Sequence, residues 1–453
     1  MGMLTMADVR RMKKGIAPAP QAKLDHVVGV VAKPTPAPAT PNIHLLHTVL
    51  PANSWENRRC FIVGGGPSVK DFDLSLLKGE LVIGINRAYE ICDPAILLAM
   101  DERYWGWVQT GKLGEEAKRK YDTFTGLKCW AWFDTNSHLI PPDECYFLKC
   151  NPTHRFNKDL AHGLFWGSNT GHGAIHLAYA LGANPIYLIG FDMQPTQDQT
   201  KQWWHEGYHG DGQTSGVYAL FRGEWKAEAE SVKGLGVDIV NLNPKSALNT
   251  FCRSSVDKEN ISKVKRPLVI NFYTDKYKQI AKQMEQSIRK FGFETELTHT
   301  TVKGNWLGTV QYKAQFMLDK LLEHKRDVLW LDADSVVNSY PELFCNFKGD
   351  VGVHYIDWSR HTNGRRKQLE LDSAVMYLTY NTRTIALLKA WVKAVAETPH
   401  RCEQLTLQVL LETYTKKINV VNIPAEYCTI FDLMSDVKNP VIEQFQASRL
   451  FRN

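Results

Sequence analysis

The sequence predicts an α/β protein with two units in tandem. From residue 55 onward, short apolar runs alternate with helical stretches, and the same alternation begins again at residue 267. Apolar strands that alternate with helices indicate parallel sheets covered on both faces. A chain of 453 residues is also longer than one hydrophobic core usually serves. Two α/β units preceded by a tail are therefore expected.

The first 52 residues differ in composition from the rest of the chain. Residues 15–42 are rich in proline and alanine, and residues 1–52 carry six Lys or Arg against two Asp or Glu. Such a segment buries too little apolar surface to offset its ordering entropy, so we expect a disordered basic tail over 1–52. The first unit is then expected over 53–255, a linker over 256–265 and the second unit over 266–453.

The first unit begins with a strand that runs into a glycine-rich turn. Apolar runs predict its strands at 60–66, 81–86, 95–100, 185–192 and 237–244, with a helix at 171–182. The strand at 237–244 is expected to be the last of this sheet. The polar residues 249–265 are expected to connect the two units.

The second unit restarts with a strand at 267–275. Amphipathic helices are predicted at 277–292, ending at Gly292, and at 311–324, and further strands are predicted at 327–337 and 371–378. Because each sheet would have its own core, residues 262–453 are expected to fold independently of the first unit.

Charge, cysteine spacing and hydropathy exclude several classes of protein. The net charge is +6, and no window holds 18 uninterrupted apolar residues, so a transmembrane helix and a membrane role are not expected. No apolar segment of a secretory signal follows the basic N-terminus. Nine cysteines without a C-x-x-C pair favour free thiols in a reducing compartment, the cytoplasm. No obligate protein partner is indicated.

Two carboxylates follow the apolar run VLWL in the second unit, at Asp332 and Asp334. A D-x-D pattern alone is weak, since the chain carries another at Asp71 and Asp73. In an extended segment, however, residues i and i+2 face the same side, so both carboxylates can face one hard cation at a strand end. Open α/β sheets bind ligands at that edge. We therefore expect a metal site for Mn²⁺ or Mg²⁺ here.

Residues 267–430 resemble the GT-A nucleotide-diphosphosugar transferases. The resemblance rests on the first strand INFYTD, the helix that contains Lys313, the strand VLWLDAD, the later strand LDSAVMYL and the pair Glu403-Gln404. It implies a mixed, mainly parallel sheet, with the D-x-D pair holding the metal against the diphosphate of a nucleotide-sugar donor such as a UDP-sugar. It also implies that Tyr273, Thr274 and Lys313 lie near the nucleotide.

The second unit departs from the GT-A pattern in two places. Asp372-Ser373-Ala374 stands where such enzymes often have Asn-Ser-Gly or Asn-Ala-Gly, and no histidine follows His400 to serve as a late third metal ligand. The third ligand therefore stays open. If the reaction inverts the anomeric centre, Asp372 or Glu403 is the candidate base for the acceptor hydroxyl; if it retains, no such base is required.

The first unit carries the turn GGGPS, starting at Gly64, directly after a strand. Glycines free the backbone for a tight turn and let amides approach a phosphate, although the pattern is neither a Walker A loop nor G-x-G-x-x-G. Polar residues at other strand ends, including Asn86 and Asp192, would converge on the same crevice. Downstream, His205 and His209 could each act as a general base near neutral pH.

Residues 58–250 resemble the family of bacterial CMP-sialic-acid sialyltransferases and 6-hydroxymethylpterin diphosphokinase-like proteins, a domain also found in bacteriophage proteins. The resemblance rests on GGGPS, Asn86, the turn at 168–173 and IGFD. It implies that this unit is Rossmann-like, as the GT-A resemblance implies for the second unit. The residues that it places at a nucleotide are Gly65, Gly66, Pro67, Ser68, Asn86, Ser168, Asn169, Thr170 and Asp192.

These observations favour a two-domain, metal-dependent glycosyltransferase. The acceptor is open. The pairing of domains that the resemblance to phage-associated proteins implies, together with the basic tail and the basic run at 359–367, favours a hydroxymethylated pyrimidine in phage DNA, inside the host cell, while a glycan or protein hydroxyl fits nearly as well. A nucleotidyl- or diphosphotransferase centred on the first unit is the alternative enzyme. A non-catalytic scaffold is the third interpretation.

Overall fold

The computed structural model describes residues 44–132, 145–151, 156–165, 167, 169–198, 201–206, 215–256, 259, 266–301, 305–345, 347–361, 369–414 and 417–447. The predicted tail therefore lies largely outside the described residues, as do the turn residue Ser168 and the histidine His209.

The first unit is a doubly wound sheet of nine strands. All eight strand pairings are parallel, and the order is β1-β6-β5-β4-β3-β2-β7-β8-β9. The strand order reverses between β2 and β7, which places a crevice at their carboxyl ends. The strands are β1 His44–Leu45, β2 Cys60–Val63, β3 Leu81–Ile85, β4 Ile96–Ala99, β5 Leu127–Trp132, β6 Cys145–Lys149, β7 Ile186–Ile189, β8 Ile239–Asn241 and β9 Cys252–Arg253.

Both ends of the first unit differ from the prediction. Residues 44–50 are not part of a disordered tail: β1 pairs with β6, and Leu46 and Leu50 are fully buried. These two leucines follow the proline-rich segment, and the apolar surface that they bury holds residues 44–50 on the sheet. At the other end, the polar connector contains one more strand, β9, which pairs in parallel with β8. Its exposed residues mark an edge strand, which hydropathy does not reveal.

Helices cover the sheet of the first unit. These helices are α1 Leu46–Val49, α2 Glu102–Gln109, α3 Glu115–Thr123, α4 Thr170–Ala180 and α5 Ser215–Lys233. The predicted helix at 171–182 corresponds to α4, in which almost every side chain is buried because it packs between sheet and outer helix.

The second unit has a mixed sheet of six strands in the order β11-β10-β12-β15-β14-β16. Three of its pairings are parallel and two, on either side of β15, are antiparallel. The predicted α/β class with a mixed, mainly parallel second sheet is confirmed. The strands are β10 Leu268–Tyr273, β11 Thr295–His299, β12 Val328–Leu331, β13 Ser335–Val337, β14 Val351–Asp357, β15 Leu369–Leu378, β16 Val420–Asn422, β17 Thr429–Ile430 and β18 Ile442–Gln444.

A small third sheet, β13-β18-β17, joins the end of the chain to the segment that follows β12. It was not predicted, because its strands have two or three residues each. The helices of the second unit are α6 Lys278–Arg289, α7 Trp306–His324, α8 Trp358–His361, α9 Thr382–Glu397 and α10 Glu403–Tyr414.

One apolar core continues through both units. A single cluster of buried residues contains Trp55 and Ile62 of the first unit together with Met284 and Phe291 of the second. The indole Nε1 of Trp55 donates to the backbone oxygen of Lys290 at 2.9 Å. The units therefore share a core, contrary to the expectation that residues 262–453 fold independently.

Gly292 shows how closely the backbones approach at this shared core. The helix was predicted to end at this glycine, but α6 ends earlier, at Arg289, and Gly292 follows it with a left-handed φ of 76°. A Cβ at this position would also lie 2.6 Å from the backbone oxygen of Glu80 in the first unit. The lack of a side chain at Gly292 therefore permits close contact between the units.

Candidate active site

A cavity of about 360 Å³ opens at the carboxyl ends of β10 and β12, which run parallel. It gathers every residue that the sequence predicted for the second unit. Those residues are Tyr273, Thr274, Lys313, Asp332, Asp334, Asp372 and Glu403. Aromatic side chains also line it, among them Trp306 and Trp358.

Asp332 is fixed through one of its two carboxylate oxygens. Its Oδ1 accepts a hydrogen bond from Lys313 Nζ at 3.0 Å and from Trp330 Nε1 at 2.7 Å. Its Oδ2 accepts no hydrogen bond from a described residue, and about a third of the side chain, 34%, is exposed to the cavity. The carboxylate is therefore held at one oxygen and available at the other.

Lys313 positions Asp332 and does not offer a donor to a nucleotide. The side chain is buried, and Nζ donates to Asp332 Oδ1, to the backbone oxygen of Ser373 at 3.2 Å and to Ser373 Oγ at 3.1 Å. An ammonium has three donors, so all are committed within the protein. Burial lowers the pKa of Lys313, but the Asp332 and Glu403 carboxylates outweigh it and raise that pKa above its ordinary value. Lys313 thus lies at the cavity predicted for the nucleotide, where its described contacts are with Asp332, Ser373 and Glu403.

Asp334 is held by the end of the chain. Its Oδ2 accepts a hydrogen bond from the backbone N–H of Ala447 at 2.5 Å, and its backbone oxygen accepts one from Phe445 N–H at 3.1 Å. Burial and then the neighbouring Asp332 charge raise the pKa of Asp334 to about 6. The D-x-D segment is thus braced from one side by Lys313 and from the other by residues 445–447.

Asp372 and Glu403, the two candidate bases, have different surroundings. Asp372 Oδ1 accepts a hydrogen bond from Ala374 N–H at 2.9 Å, while its Oδ2 is buried without a hydrogen-bond partner among the described residues. Burial raises the pKa of Asp372 to about 7, and the nearby Asp332 charge adds to the shift. Glu403 lies 3.5 Å from Lys313 and accepts from Ser373 Oγ at 3.2 Å. Glu403 is therefore a partner of the buried ammonium, and Asp372 has the available oxygen.

The carboxylates suit a hard cation, although they do not enclose one. Carboxylate oxygens are the ligands that Mg²⁺ and Mn²⁺ prefer, and Mg²⁺ commonly takes one or two carboxylates with the remaining ligands from water and substrate phosphates. Asp332 Oδ2 and Asp372 Oδ2 offer oxygens without protein partners. Asp332, Asp334 and Asp372 are not close enough to form a compact trio, so a diphosphate would have to complete the coordination.

The compact trio that the described residues do form lies elsewhere and carries its own counter-charge. The ligand atoms of Glu296, Glu323 and His324 lie close enough together to hold a single ion. The ammonium of Lys320 contacts Glu296 and lies 2.8 Å from Glu323. Because a lysine already neutralises these carboxylates, we assign no metal to this cluster.

In the first unit, the glycine-rich turn packs against the loop after β7. Asp192 Oδ2 accepts a hydrogen bond from Ser68 Oγ at 2.8 Å, and its Oδ1 accepts one from Asn243 Nδ2 at 2.8 Å. A Cβ on Gly66 would lie 1.9 Å from Asp192 Oδ2, whereas a Cβ on Gly65 would meet nothing closer than 3.4 Å. Close contact between the two loops therefore requires glycine at position 66. Pro67 begins the 3-10 helix Pro67–Asp71, as its position predicted.

Asn86 keeps an unusual conformation at the end of β3. Its φ is 51°, its backbone oxygen accepts from Tyr104 Oη at 2.7 Å, and its side-chain Oδ1 is buried without a partner among the described residues. Asn169 precedes α4, and Thr170 is its first residue. His205 lies beside the rings of Trp203 and Trp204. Ser168 and His209 cannot be placed relative to this edge, since they lie outside the described residues.

A second cavity, of about 590 Å³, lies near the carboxyl ends of β7 and β8 in the first unit. Three cations line it: Arg222, Lys245 and Arg253. Arg222 donates to the backbone oxygen of Met193 at 2.6 Å and Arg253 to that of Ser246 at 2.8 Å, and none of the three forms an ion pair with a described residue. No described carboxylate lines this cavity, so its charge is positive.

Sequence reasoning missed the residues that the chain end brings to the first cavity. Gln444 and Gln446 line its wall, more than a hundred residues away in sequence from the D-x-D pair. Trp306 and Trp358 were also missed, since an aromatic side chain at a helix start carries no chemical signal of its own. The pairing of β18 with β13 is what brings the glutamines in, and strands this short give no periodicity to detect.

Comparisons with known proteins give distant similarities. No protein-family model and no curated protein matches the sequence. A glycosyltransferase involved in the glycosylation of the major capsid of PBCV-1 is 12% identical and covers 41% of this chain and 96% of its own, with a TM-score of 0.33. The Campylobacter jejuni sialyltransferase CstII, solved with the substrate analogue CMP-3FNeuAc, is 16% identical and covers 44% and 86%, with a TM-score of 0.27.

Mouse xyloside xylosyltransferase 1 is 12% identical and covers 40% of this chain and 97% of its own, again with a TM-score of 0.27. These TM-scores are low, so function is inferred from the site itself.

Two further properties are seen in the structure. All nine cysteines are free thiols. Within the described ranges, no helix has the length and apolar character needed to cross a membrane.

Proposed function

We propose that this protein is a metal-dependent glycosyltransferase that moves a sugar from a nucleotide-sugar donor, a UDP-sugar in the first instance, to an acceptor hydroxyl. The observation that carries the proposal is the cavity at the ends of β10 and β12, which Asp332, Asp334 and Asp372 line together with aromatic side chains. Two of these carboxylates present an oxygen that no described protein group engages.

In this proposal Asp332 and Asp334 would hold Mn²⁺ or Mg²⁺, which supplies positive charge to the departing diphosphate. Lys313 and Trp330 keep the Asp332 carboxylate from rotating, so that its second oxygen faces the cavity. The backbone N–H of Ala447 does the same for Asp334. The protein thus orients its ligands before the donor binds, which lowers the cost of reorganisation.

The transfer makes a bond between the acceptor oxygen and the anomeric carbon and breaks the bond from that carbon to the diphosphate oxygen. The diphosphate leaves with the electron pair. In an inverting reaction the acceptor proton would pass to Asp372 Oδ2, the buried oxygen without a hydrogen-bond partner among the described residues. Glu403 is the weaker candidate, since Lys313 and Ser373 occupy it. A retaining reaction would not need this base.

The experiment is to incubate the full chain with a panel of UDP- and CMP-sugars and to measure free nucleotide, with Mn²⁺ and with chelator. Metal-dependent release of UDP or CMP from at least one sugar nucleotide is expected. Asp319→Asn provides a matched control, because Asp319 is an exposed carboxylate on α7 that pairs with Gln315. Absence of release from every donor would overturn the proposal.

A second candidate function is a nucleotidyl- or diphosphotransferase centred on the first unit. The cavity lined by Arg222, Lys245 and Arg253 favours it, because unpaired guanidinium and ammonium groups bind phosphates. Consumption of ATP, with no turnover of sugar nucleotides, is the result that would select this function. No turnover of either class of substrate would leave the interpretation as a binding scaffold.

For the acceptor, we propose a hydroxymethylated pyrimidine in DNA. What supports it is the basic run at 359–367 beside the cavity-lining Trp358, together with the basic tail. Of that run, Arg360 pairs with Asp357 at 3.3 Å, while residues 362–367 lie outside the described residues. Mass spectrometry of DNA nucleosides from cells that express the protein should show a hexose or pentose adduct. Modified glycans or proteins with unmodified DNA would select the other acceptors.

A further inference from the structure

The C-terminal strand β18 forms one wall of the carboxylate cavity. Gln444 pairs with Ser335 across the short antiparallel ladder, directly beyond the D-x-D pair. Phe445 N–H and Ala447 N–H donate to Asp334, as described above, and Gln446 adopts a left-handed φ of 55° between them. The last described turn of the chain is therefore fixed against the metal-binding segment.

The side-chain amide of Gln444 has a hydrogen-bond partner at its oxygen and none among the described residues at its nitrogen. The side chain is 1% exposed, its Oε1 accepts a hydrogen bond from Ser335 Oγ at 2.9 Å, and its Nε2 has no hydrogen-bond partner among the described residues. Leaving buried N–H donors unpaired is costly. Because Gln444 lines the same cavity as Asp334, a bound ligand can supply the missing acceptor.

The charges around the cavity explain why an uncharged hydrogen-bond donor, the Gln444 amide, suits this position. The ligand expected here carries a diphosphate, and the carboxyl groups that line the cavity repel it. Five such side chains line it: Asp332, Asp334, Glu370, Asp372 and Glu403. Lys313 has no donor left for it, as its three N–H groups bind Asp332 and Ser373. A second lysine next to Asp334 would pair with that carboxylate and compete with a metal. A neutral amide can donate a hydrogen bond to a phosphate oxygen without neutralising Asp334 or competing with a metal for it.

We propose that Gln444 Nε2 donates a hydrogen bond to a diphosphate oxygen of the bound donor, so that the C-terminal strand distinguishes nucleoside diphosphates from nucleosides. This inference rests on the proposed function of the cavity. Ser335 holds the amide oxygen and thereby directs the Nε2 group toward the ligand. Gln444 is a binding and positioning residue.

The test uses the full chain and measures equilibrium binding of UDP and of uridine by calorimetry, with Mg²⁺ present. Gln444→Met keeps the length of the side chain and removes both donors. It should weaken UDP binding by about tenfold or more, the range for a hydrogen bond to a charged group, and leave uridine binding within about twofold. The variant removes an unpaired buried donor but also the acceptor of Ser335 Oγ, so the melting temperature of the ligand-free protein is measured in parallel to show that the variant is folded.

Gln444→Glu places a carboxylate next to Asp334 and should weaken UDP binding further. Gln109→Glu adds the same charge on an exposed residue of α2 in the first unit and should change neither affinity. Wild-type affinity for UDP in Gln444→Met, or an equal loss for UDP and uridine, would overturn the inference alone. Tighter UDP binding by Gln444→Glu would show that this position prefers an acceptor and would also overturn it. Absence of nucleotide binding by the wild type would overturn the proposed function and this inference together.

Discussion

Replacing Lys313 with methionine should destabilise the second unit strongly. The ammonium is buried between two carboxylates, with Nζ 3.0 Å from Asp332 Oδ1 and 3.5 Å from Glu403 Oε1. Glu403 is 2% exposed, so water can solvate its carboxylate only poorly once the ammonium is removed. Methionine has nearly the same length as lysine without the charge, so the change in packing is small and the change in electrostatics large.

The expected loss is about 3–5 kcal/mol, the usual cost of breaking a buried ion pair by removing one partner. Denaturant unfolding of the full chain, followed by tryptophan fluorescence, measures it as a shift of the midpoint. Lys393→Met is the matched control: Lys393 is exposed on α9 and lies 3.7 Å from Glu397, a surface pair of the kind that contributes less than about 1 kcal/mol.

A double variant separates electrostatic loss from packing loss. Adding Glu403→Gln to Lys313→Met removes the uncompensated buried charge and should restore about half or more of the lost stability, within the range of coupling seen for residues in contact. If Lys313→Met shifts the midpoint no more than the Lys393 control, the assignment of Lys313 as the group that holds the carboxylates together is refuted.

Three other predictions concern the rest of the molecule. A fragment of residues 262–453 should be molten or insoluble, because the units share one core; a cooperative, monomeric fragment would contradict this. Gly66→Ala should cost about 1–3 kcal/mol in unfolding free energy through contact with a carboxylate, while Gly65→Ala should change it by less than about 0.5 kcal/mol. Burial lowers the pKa of His172 to about 3 and of His176 to about 4. Both charge on unfolding, so stability should fall from about pH 6.5 toward pH 4 by up to about 1.4 kcal/mol per pH unit for each, and a flat profile between pH 7 and 5 would contradict it.

The alternation of strands and helices was predictable because burial on both sides of a sheet leaves continuous apolar runs. The strands β2, β3, β4, β7, β10 and β12 all fall within predicted runs.

The two D-x-D patterns show that the surrounding structure decides whether such a pair can bind a ligand. Asp73 caps a short 3-10 helix by accepting from Ser75 N–H, whereas Asp332 and Asp334 follow a fully buried strand that leads into the cavity.

The parts that could not be predicted depend on contacts between distant residues. The role of Lys313 depends on Ser373 and Glu403, which lie 60 and more residues away and consume its donors. The position of Gln444 depends on pairing between β18 and β13, each only three residues long. The shared core depends on Trp55 reaching the end of α6. None of these leaves a periodic signal in the sequence.

The most direct test of the central proposal is to compare nucleotide release by wild type, Asp332→Asn and Asp334→Asn with the same sugar nucleotide, with Mn²⁺ and with chelator. Removing one hard ligand takes away several kcal/mol of stabilisation of the departing diphosphate, so each variant should lose about 100-fold or more in rate. Unfolding midpoints measured in parallel ensure that the variants are folded. Rates within about twofold of wild type in both variants, or full wild-type activity in the chelator, would contradict metal-dependent sugar transfer at this cavity.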